Sequence, residues 1–319
     1  QIVGGLVAIY SLRELSKRSQ IYLTAVLVTL ASTVVYLAIQ LIQSDDPSKL
    51  DQSMYIYFAI NGFFLLFTYP LMLVIEKAFG FTSTVTLFEL SNTNNYLLRR
   101  LSEVAPGTFQ HSIMVGNLAA EIANRIGAKA HLVRTGALYH DIGKMANPAF
   151  FTENQAGVNP HEKLSCQESA RIIISHVSEG TRLAEKFNLP SAIREFITTH
   201  HGKGLASFFY VSYKNEHPDE EVDETLFRYP GPNPSTLEQA ILMMCDSVEA
   251  ASRSLPEYTE ESIASLVNKI IDAQTANGFF TECPITFRDI AQAKLVLAER
   301  LKSIYHTRIQ YPELKRTPL

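Results

Sequence analysis

A histidine followed at once by an aspartate, His140-Asp141, sets a neutral nitrogen ligand beside an anionic oxygen ligand. On a helix the two project about 100° apart. Gly143 stands where a helix commonly stops, and Lys144 lies one turn from Asp141, within reach of the same space. Alone, such a pair carries little. His200 and His201 form a second adjacent pair, and with His111, His176 and Asp246 the order is H…HD…H…HH…D, at intervals of 29, 1, 35, 24, 1 and 45 residues.

Five neutral imidazoles and two carboxylates are ligands that divalent iron, manganese and related ions accept. A carboxylate such as Asp141 can bridge two metals while histidines fill each side. Two metals about 3.5–4 Å apart can hold a bridging hydroxide and clamp a phosphodiester for in-line displacement. Lys144 would then neutralise a non-bridging phosphate oxygen. A scatter of unrelated core histidines does not account for two adjacent pairs and an aspartate in an apolar helix. Four of the nine histidines fall outside the series. His131, His217 and His306 read as solvated, and His161, in Asn159-Pro160-His161-Glu162, as either a neighbour of the site or a further surface group.

The elements that must position these residues are helices. Val115, Leu118, Ile122 and Ile126 recur at helical spacing after His111, and Gly127 is a C-terminal cap. A helix over roughly 130–142 ends in His140-Asp141. His176 follows the apolar run Ile172–Ile174, and Ile193, Phe196, Ile197 and His200 fall at i, i+3, i+4 and i+7. Ser235-x-x-Glu238 reads as a capping box opening a helix that is apolar from Ala240 to Cys245 and then reaches Asp246. A carboxylate buried there needs a cation, hydrogen bonds or a metal. Thr259 and Thr286 cap two further helices, near 259–274 and 287–305. Thr82–Val104 reads as a connecting helix, interrupted at Pro106-Gly107. Leu205–Pro234 combines aromatic residues, an acidic run and Tyr229-Pro230-Gly231-Pro232. It reads as an excursion at the mouth of the site or as a solvated insertion. Strand signals are almost absent, so the soluble part is expected to be all-α.

With 46% hydrophobic residues, no Trp and a net charge of −4, nothing points to a groove for polymeric nucleic acid. Two uncharged runs, Ile21–Gln43 and Met54–Ile75, are each long enough to cross the ~30 Å hydrocarbon core. Ile2–Tyr10 is apolar but short, as expected for the tail of a further membrane helix. Arg13, Lys17 and Arg18 precede the first run, whereas Asp45, Asp46 and Asp51 outweigh Lys49 in the next loop. The positive-inside rule then sets residues 11–20 and everything after Phe79 in the cytoplasm. Cys166, Cys245 and Cys283 lack pair spacing and suit free thiols in a reducing compartment.

The series, with HDxGK, resembles the HD superfamily of metal-dependent phosphohydrolases. HD-GYP enzymes carry HHE followed by GYP; His200-His201-Gly202-Lys203-Gly204 departs from this, which counts against cyclic di-GMP. The chain more nearly resembles the seven-transmembrane receptor HD family, through TFQHS at 108–112, HDIGK at 140–144, NPHEKLS at 159–165, IIISHV at 172–177, HHG at 200–202, FRYPGP at 227–232 and DSVEAASRSL at 246–255. That resemblance implies C-terminal transmembrane helices of a seven-helix membrane region, with a large extracytoplasmic part elsewhere in the protein, followed by a cytoplasmic HD-domain helical bundle. The corresponding division is a membrane region over 1–80 with spans near 21–43 and 54–79, a connecting helix over 81–107 and the HD domain over 108–319. The resemblance also implies hydrolysis of cyclic di-AMP to linear pApA at a bacterial inner membrane, by attack of a metal-bridging hydroxide on two Fe or Mn ions. His111, His140 and Asp246 would hold one metal and His176 and His200 the other, with Asp141 as the bridge. His201 would ligate or contact phosphate. Lys144 would be catalytic. Arg253 is a candidate substrate contact, with surface pairing as the competing reading, and a homodimer is an expected assembly. Three alternatives remain: a cyclic-dinucleotide sensor without turnover, an HD phosphohydrolase acting on another nucleotide, and a dinuclear iron oxygenase.

Overall fold

Helix patterning dictates nearly everything in the computed structural model, which describes residues 1–13, 18–43 and 52–305. Among the described residues there is no strand, only one isolated antiparallel bridge between Leu205 and Arg228. Two compact units are present: Gln1–Asn95 with Pro190–Ala192, and Tyr96–Leu189 with Ile193–Leu319. The loop charges Lys17, Asp45, Asp46, Lys49 and Asp51, and His306, lie outside the described residues.

The first unit contains α1 (Ile2–Ser11), α2 (Arg18–Gln43), α3 (Ser53–Leu66), α4 (Thr68–Phe79) and α5 (Thr84–Leu90). Ser19–Gln43 and Ser53–Phe79 are each long and apolar enough to cross a bilayer. Their surfaces are inverted relative to a water-soluble helix: Val34 and Phe64 are 62% and 65% exposed. Inside, small and hydroxyl residues let the helices approach, with Ser11 Oγ 2.8 Å from Thr24 Oγ1. Pro70 removes the hydrogen bond to the Leu66 carbonyl, and the second span breaks at Phe67 between α3 and α4. Both apolar spans stand at the N-terminal end of this chain, so their description as C-terminal is corrected. At the end of α4, the Glu76 carboxylate accepts from the Ser83 N–H and the Thr86 hydroxyl, each at 2.9 Å, and so fastens α4 to the start of α5.

The expected single connecting helix is two helices, α5 and α6 (Tyr96–Val104), separated by Ser91–Asn95. Asn92 Oδ1 accepts from the Asn94 N–H at 3.0 Å, a local turn that competes with the helix. Pro106 opens α7 (Pro106–Ile126) rather than interrupting it, because the first turn leaves its missing donor without consequence.

The second unit is built around α12 (Leu237–Ser252), buried on every side from Ala240 to Asp246. Val115, Leu118 and Ile122 of α7, Val133 and Ala137 of α8 (Ala130–Tyr139), Ile263, Val267 and Ile271 of α13 (Glu260–Ala276) and Val296 and Leu297 of α14 (Phe287–Ile304) complete its core. Sheathing of this kind explains a helix without a polar face. Its cap falls one residue later than expected: Thr236 Oγ1 accepts from the Gln239 N–H, while the Gln239 side chain takes the Ser235 N–H. Gly127, Thr259 and Thr286 cap as expected. A smaller cluster joins α9 (Cys166–Lys186), which opens on a Ser165–Glu168 capping box, to the 205–234 segment. That segment contains α11 (Ser207–Glu216) and a 3-10 turn over Glu224–Phe227. Its ends are tied by Ala206 N–H to Phe227 O at 2.7 Å and Tyr229 N–H to Gly204 O at 2.8 Å.

Candidate metal centre

Five elements deliver the seven residues of the series to one buried point. His111 lies in the second turn of α7, and His140 closes α8 and hands directly to Asp141 and a 3-10 turn over Ile142–Ala146. His176 comes from α9, His200 and His201 follow α10 (Ser191–Thr199), and Asp246 comes from α12. Gly143 matters here because a Cβ on it would stand 1.8 Å from the His176 carbonyl oxygen. Only a residue without a side chain lets α9 pack so closely on the His140-Asp141 turn.

Two groups form. One donor atom each of His111, His140, Asp141 and Asp246 lie within 4.8 Å of one another, and so do those of His176, His200 and His201. Asp141 faces both. Its Oδ2 is 3.2 Å from His140 Nε2 and 3.7 Å from His111 Nε2, whereas its Oδ1 is 3.4 Å from His176 Nε2 and 3.6 Å from His200 Nε2. Asp246 Oδ1 is 2.9 Å from His111 Nε2 and 3.4 Å from His140 Nε2. His201 sits at the edge, with Nδ1 4.0 Å from Asp246 Oδ2 and its ring 4.2 Å from that of Tyr229.

The inward Nε2 atoms are aimed by what holds Nδ1. His140, His176 and His200 donate from Nδ1 to the carbonyls of Ala137, Ile173 and Ile197 at 2.7, 2.6 and 2.9 Å. A carbonyl only accepts, so each ring carries its Nδ1 proton outward and turns Nε2 to the centre.

Electrostatics divide along Asp141. Burial opposes charge on the imidazole of His140, but the Asp141 carboxylate and Asp246 prevail and raise its pKa to about 10. His111 is likewise raised: Asp246 and Glu249 outweigh burial. Burial lowers His176 to about 3, reinforced by the charges of His200 and Lys144 over the attraction of Asp141. Desolvation, with His200 and His176 alongside, holds His201 well below its ordinary value. Burial alone would raise Asp141 and Asp246. The charges of His140 and Lys144 hold Asp141 well below the carboxylate range, and the facing imidazoles of His111 and His140 do the same for Asp246.

The donor set fits divalent cations. His140 Nε2 and Asp141 Oδ1 are buried without a hydrogen-bond partner, and the Nε2 atoms of His176 and His200 stand 3.1 Å apart. Unpaired buried acceptors and facing imidazole lone pairs are costly unless a cation collects them.

Lys144, Arg253 and two acidic residues, Glu153 and Glu249, stand around the series. Lys144 Nζ, expected at a phosphate, contacts Asp141 Oδ2 at 2.7 Å and Glu153 Oε1 at 2.9 Å. Glu153 also accepts from the Thr108 hydroxyl at the start of α7. Arg253 reaches none of the seven residues; it pairs with Glu249, whose other oxygen holds His111 Nδ1. Glu249 follows Asp246 by three residues on one helix, a spacing that could have signalled it. His161 donates from Nε2 to, or accepts at, no member of the series; its ring nitrogen meets the Phe150 carbonyl at 2.9 Å. His217 packs on Tyr213. A cavity of about 590 Å³ adjoins the centre, bordered by His200, His201, Tyr229, Arg228, Lys269 and Phe279.

An all-helical unit gathering H…HD…H…HH…D around one buried point is an HD-domain fold, and this chain belongs to the HD-domain family. The HD domain model matches residues 108–251, and the model for the 7TM receptor with intracellular HD hydrolase matches residues 1–83. The chain is 39% identical over 315 residues to the cyclic-di-AMP phosphodiesterase PgpH of Bacillus subtilis, and 39% identical over 317 residues to that of Listeria monocytogenes. Each alignment covers 98% of this chain, which spans 44% of the length of either relative. The crystal structure of the L. monocytogenes PgpH HD domain in complex with cyclic-di-AMP superposes with a TM-score of 0.64 and 44% identity, covering 67% of this chain and 99% of that one. The chain is thus that of a membrane protein, and its HD domain and buried His/Asp cluster point to divalent-metal binding.

Proposed function

We propose that this chain is the membrane-anchored catalytic part of a cyclic di-AMP phosphodiesterase that yields linear pApA. The observation that carries the proposal is the division of Asp141, one oxygen turned to His111 and His140 and the other to His176 and His200. A bridging carboxylate between two sets of imidazoles is the arrangement a dinuclear site requires. We assign His111, His140 and Asp246 to one ion and His176 and His200 to the other, with His201 at the edge shared with substrate; the ions are Fe or Mn. Bound cations would supply Lewis acidity, activating water and neutralising phosphoryl charge.

The chain's own residues do the rest. Lys144, held above its ordinary pKa by Asp141 and Glu153 against burial, remains a cation throughout and offsets charge developing on the phosphate. The cavity beside His200 and His201 has aromatic faces in Tyr229 and Phe279 and a cation in Lys269, which suits a nucleotide carrying a second phosphate. In the reaction a water oxygen bonds to phosphorus as the bond from phosphorus to the ribose 3′ oxygen breaks. No side-chain nucleophile is involved, and no polymeric nucleic acid is a partner.

The membrane region over 1–80 would then anchor the HD domain over 108–319 in the cytoplasm of a bacterial cell, multi-pass, through the 81–107 connection and as a homodimer. The cyclic-di-AMP phosphodiesterases among the relatives and the crystallised cyclic-di-AMP complex support this reading. Incubating the full chain in nanodiscs with Mn²⁺ or Fe²⁺ and cyclic di-AMP tests it, with cyclic di-GMP in parallel. Linear pApA is the expected product, absent in His140→Ala and Asp141→Ala. Binding without a linear product would favour a sensor, and turnover dependent on O₂ an oxygenase.

A further inference from the structure

The four buried histidines of the centre are not held alike. Three donate from Nδ1 to a backbone carbonyl three residues earlier, and only His111 is held by a carboxylate, with Nδ1 2.5 Å from Glu249 Oε2. Glu249 is 3% exposed. A carboxylate so buried is costly unless both oxygens are engaged. They are: Oε2 takes His111, and Oε1 takes Arg253 through Nε at 3.0 Å and Nη2 at 2.8 Å. Arg253, in the partly exposed C-terminal turn of α12, is therefore the counter-ion of a buried chain, Arg253–Glu249–His111, that runs inward from the surface. Asp246, one turn before Glu249 on the same helix, meets the other nitrogen of the same ring at 2.9 Å. One helix thus grips His111 at both ends.

We propose that Glu249, anchored by Arg253, is a positioning residue that makes the His111–His140–Asp246 side the tighter of two cation positions. The inference rests on the dinuclear reading above. An anionic partner at Nδ1 fixes the tautomer that presents Nε2 and makes the imidazole a stronger donor than a neutral carbonyl does. Nothing equivalent supports His176 or His200. Loss of such a partner weakens metal affinity by about 10–100-fold in comparable sites. Arg253 acts through Glu249 and not on substrate.

The test is equilibrium binding of Mn²⁺ to the full chain in nanodiscs, for the unaltered protein, Glu249→Gln, Glu249→Ala and Arg253→Gln. The unaltered chain is expected to bind two Mn²⁺ in two resolved steps. Glu249→Gln should loosen the tighter step by about 10-fold and Glu249→Ala by up to about 100-fold, with the weaker step unchanged. Arg253→Gln, at a partly exposed position, should loosen the same step by less. An unaltered tight step in Arg253→Gln and in either Glu249 variant would overturn the proposal, and so would equal loosening of both steps, the mark of a merely structural role. Should the unaltered chain bind no Mn²⁺, it is the metal reading that fails; two Mn²⁺ with insensitive variants removes the Glu249 proposal alone. If the Glu249 variants do not fold, the Arg253→Gln isotherm decides.

Discussion

His140 and His176 are both buried, both donate Nδ1 to a carbonyl three residues earlier, and both turn Nε2 towards Asp141. Their pKa values nonetheless part to about 10 and about 3. Burial penalises the charged form of each. On the His140 side the carboxylates Asp141 and Asp246 prevail over that penalty, whereas on the His176 side the charges of His200 and Lys144 add to it. One carboxylate therefore has a carboxylate-dense side, where His140 is held charged, and an imidazole-only side, where His176 is held neutral. A cation arriving on the first must displace the His140 proton, whereas on the second it meets the free lone pair of His176.

Removing the residue common to both sides should have the largest effect. Asp141→Ala is expected to cost on the order of 10³-fold in turnover and to abolish both Mn²⁺ binding steps together. A variant that retains either step at full affinity would show that Asp141 does not join the two sides.

Next come the single-sided variants. His140→Ala should eliminate one bound Mn²⁺ and His200→Ala the other, each with about 10²-fold loss of turnover. Metal content after dialysis, measured beside activity, checks this. Loss of both ions in either variant would mean the sides are one site.

The smallest effect concerns pH in chelator-treated protein. His140, raised to about 10, contributes stability that is complete below its unfolded value near 6.5 and is lost as pH rises through about 10. His176, lowered to about 3, acts oppositely: its contribution is complete above about 6.5 and is lost as pH falls towards 3. Asp141 and Asp246, held low, add to the acid loss. Thermal unfolding midpoints should therefore peak near neutrality and decline on both sides, and saturating Mn²⁺ should suppress the alkaline decline. A midpoint that keeps rising to pH 10 without metal would contradict the assignment of charge to the His140 side.

Much of the centre was legible from residue type alone, because imidazole and carboxylate pairs have few structural uses deep in apolar helices. Gly127, Thr259 and Thr286 were legible as caps because their signals are local. What escaped depends on distant partners. Glu249 shows no histidine partner until α7 packs beside it, and Glu153 acquires meaning only when its loop meets Lys144 and Thr108. Gly143, read as a helix stop, is required by the approach of α9 instead. The cap of α12 slid from Ser235 to Thr236 because both residues can accept, and the backbone chose one. The connecting helix reads as continuous in the sequence because the turn that splits it, with Asn92 Oδ1 accepting from the Asn94 N–H, is set by side-chain geometry.

The most direct test of the central claim is product analysis of the full chain in nanodiscs, loaded with Mn²⁺ and given cyclic di-AMP, beside the Asp141→Ala variant. The account predicts linear pApA from the unaltered chain and essentially none from the variant. Full turnover by Asp141→Ala, or intact cyclic di-AMP recovered from a chain carrying two Mn²⁺, would contradict it.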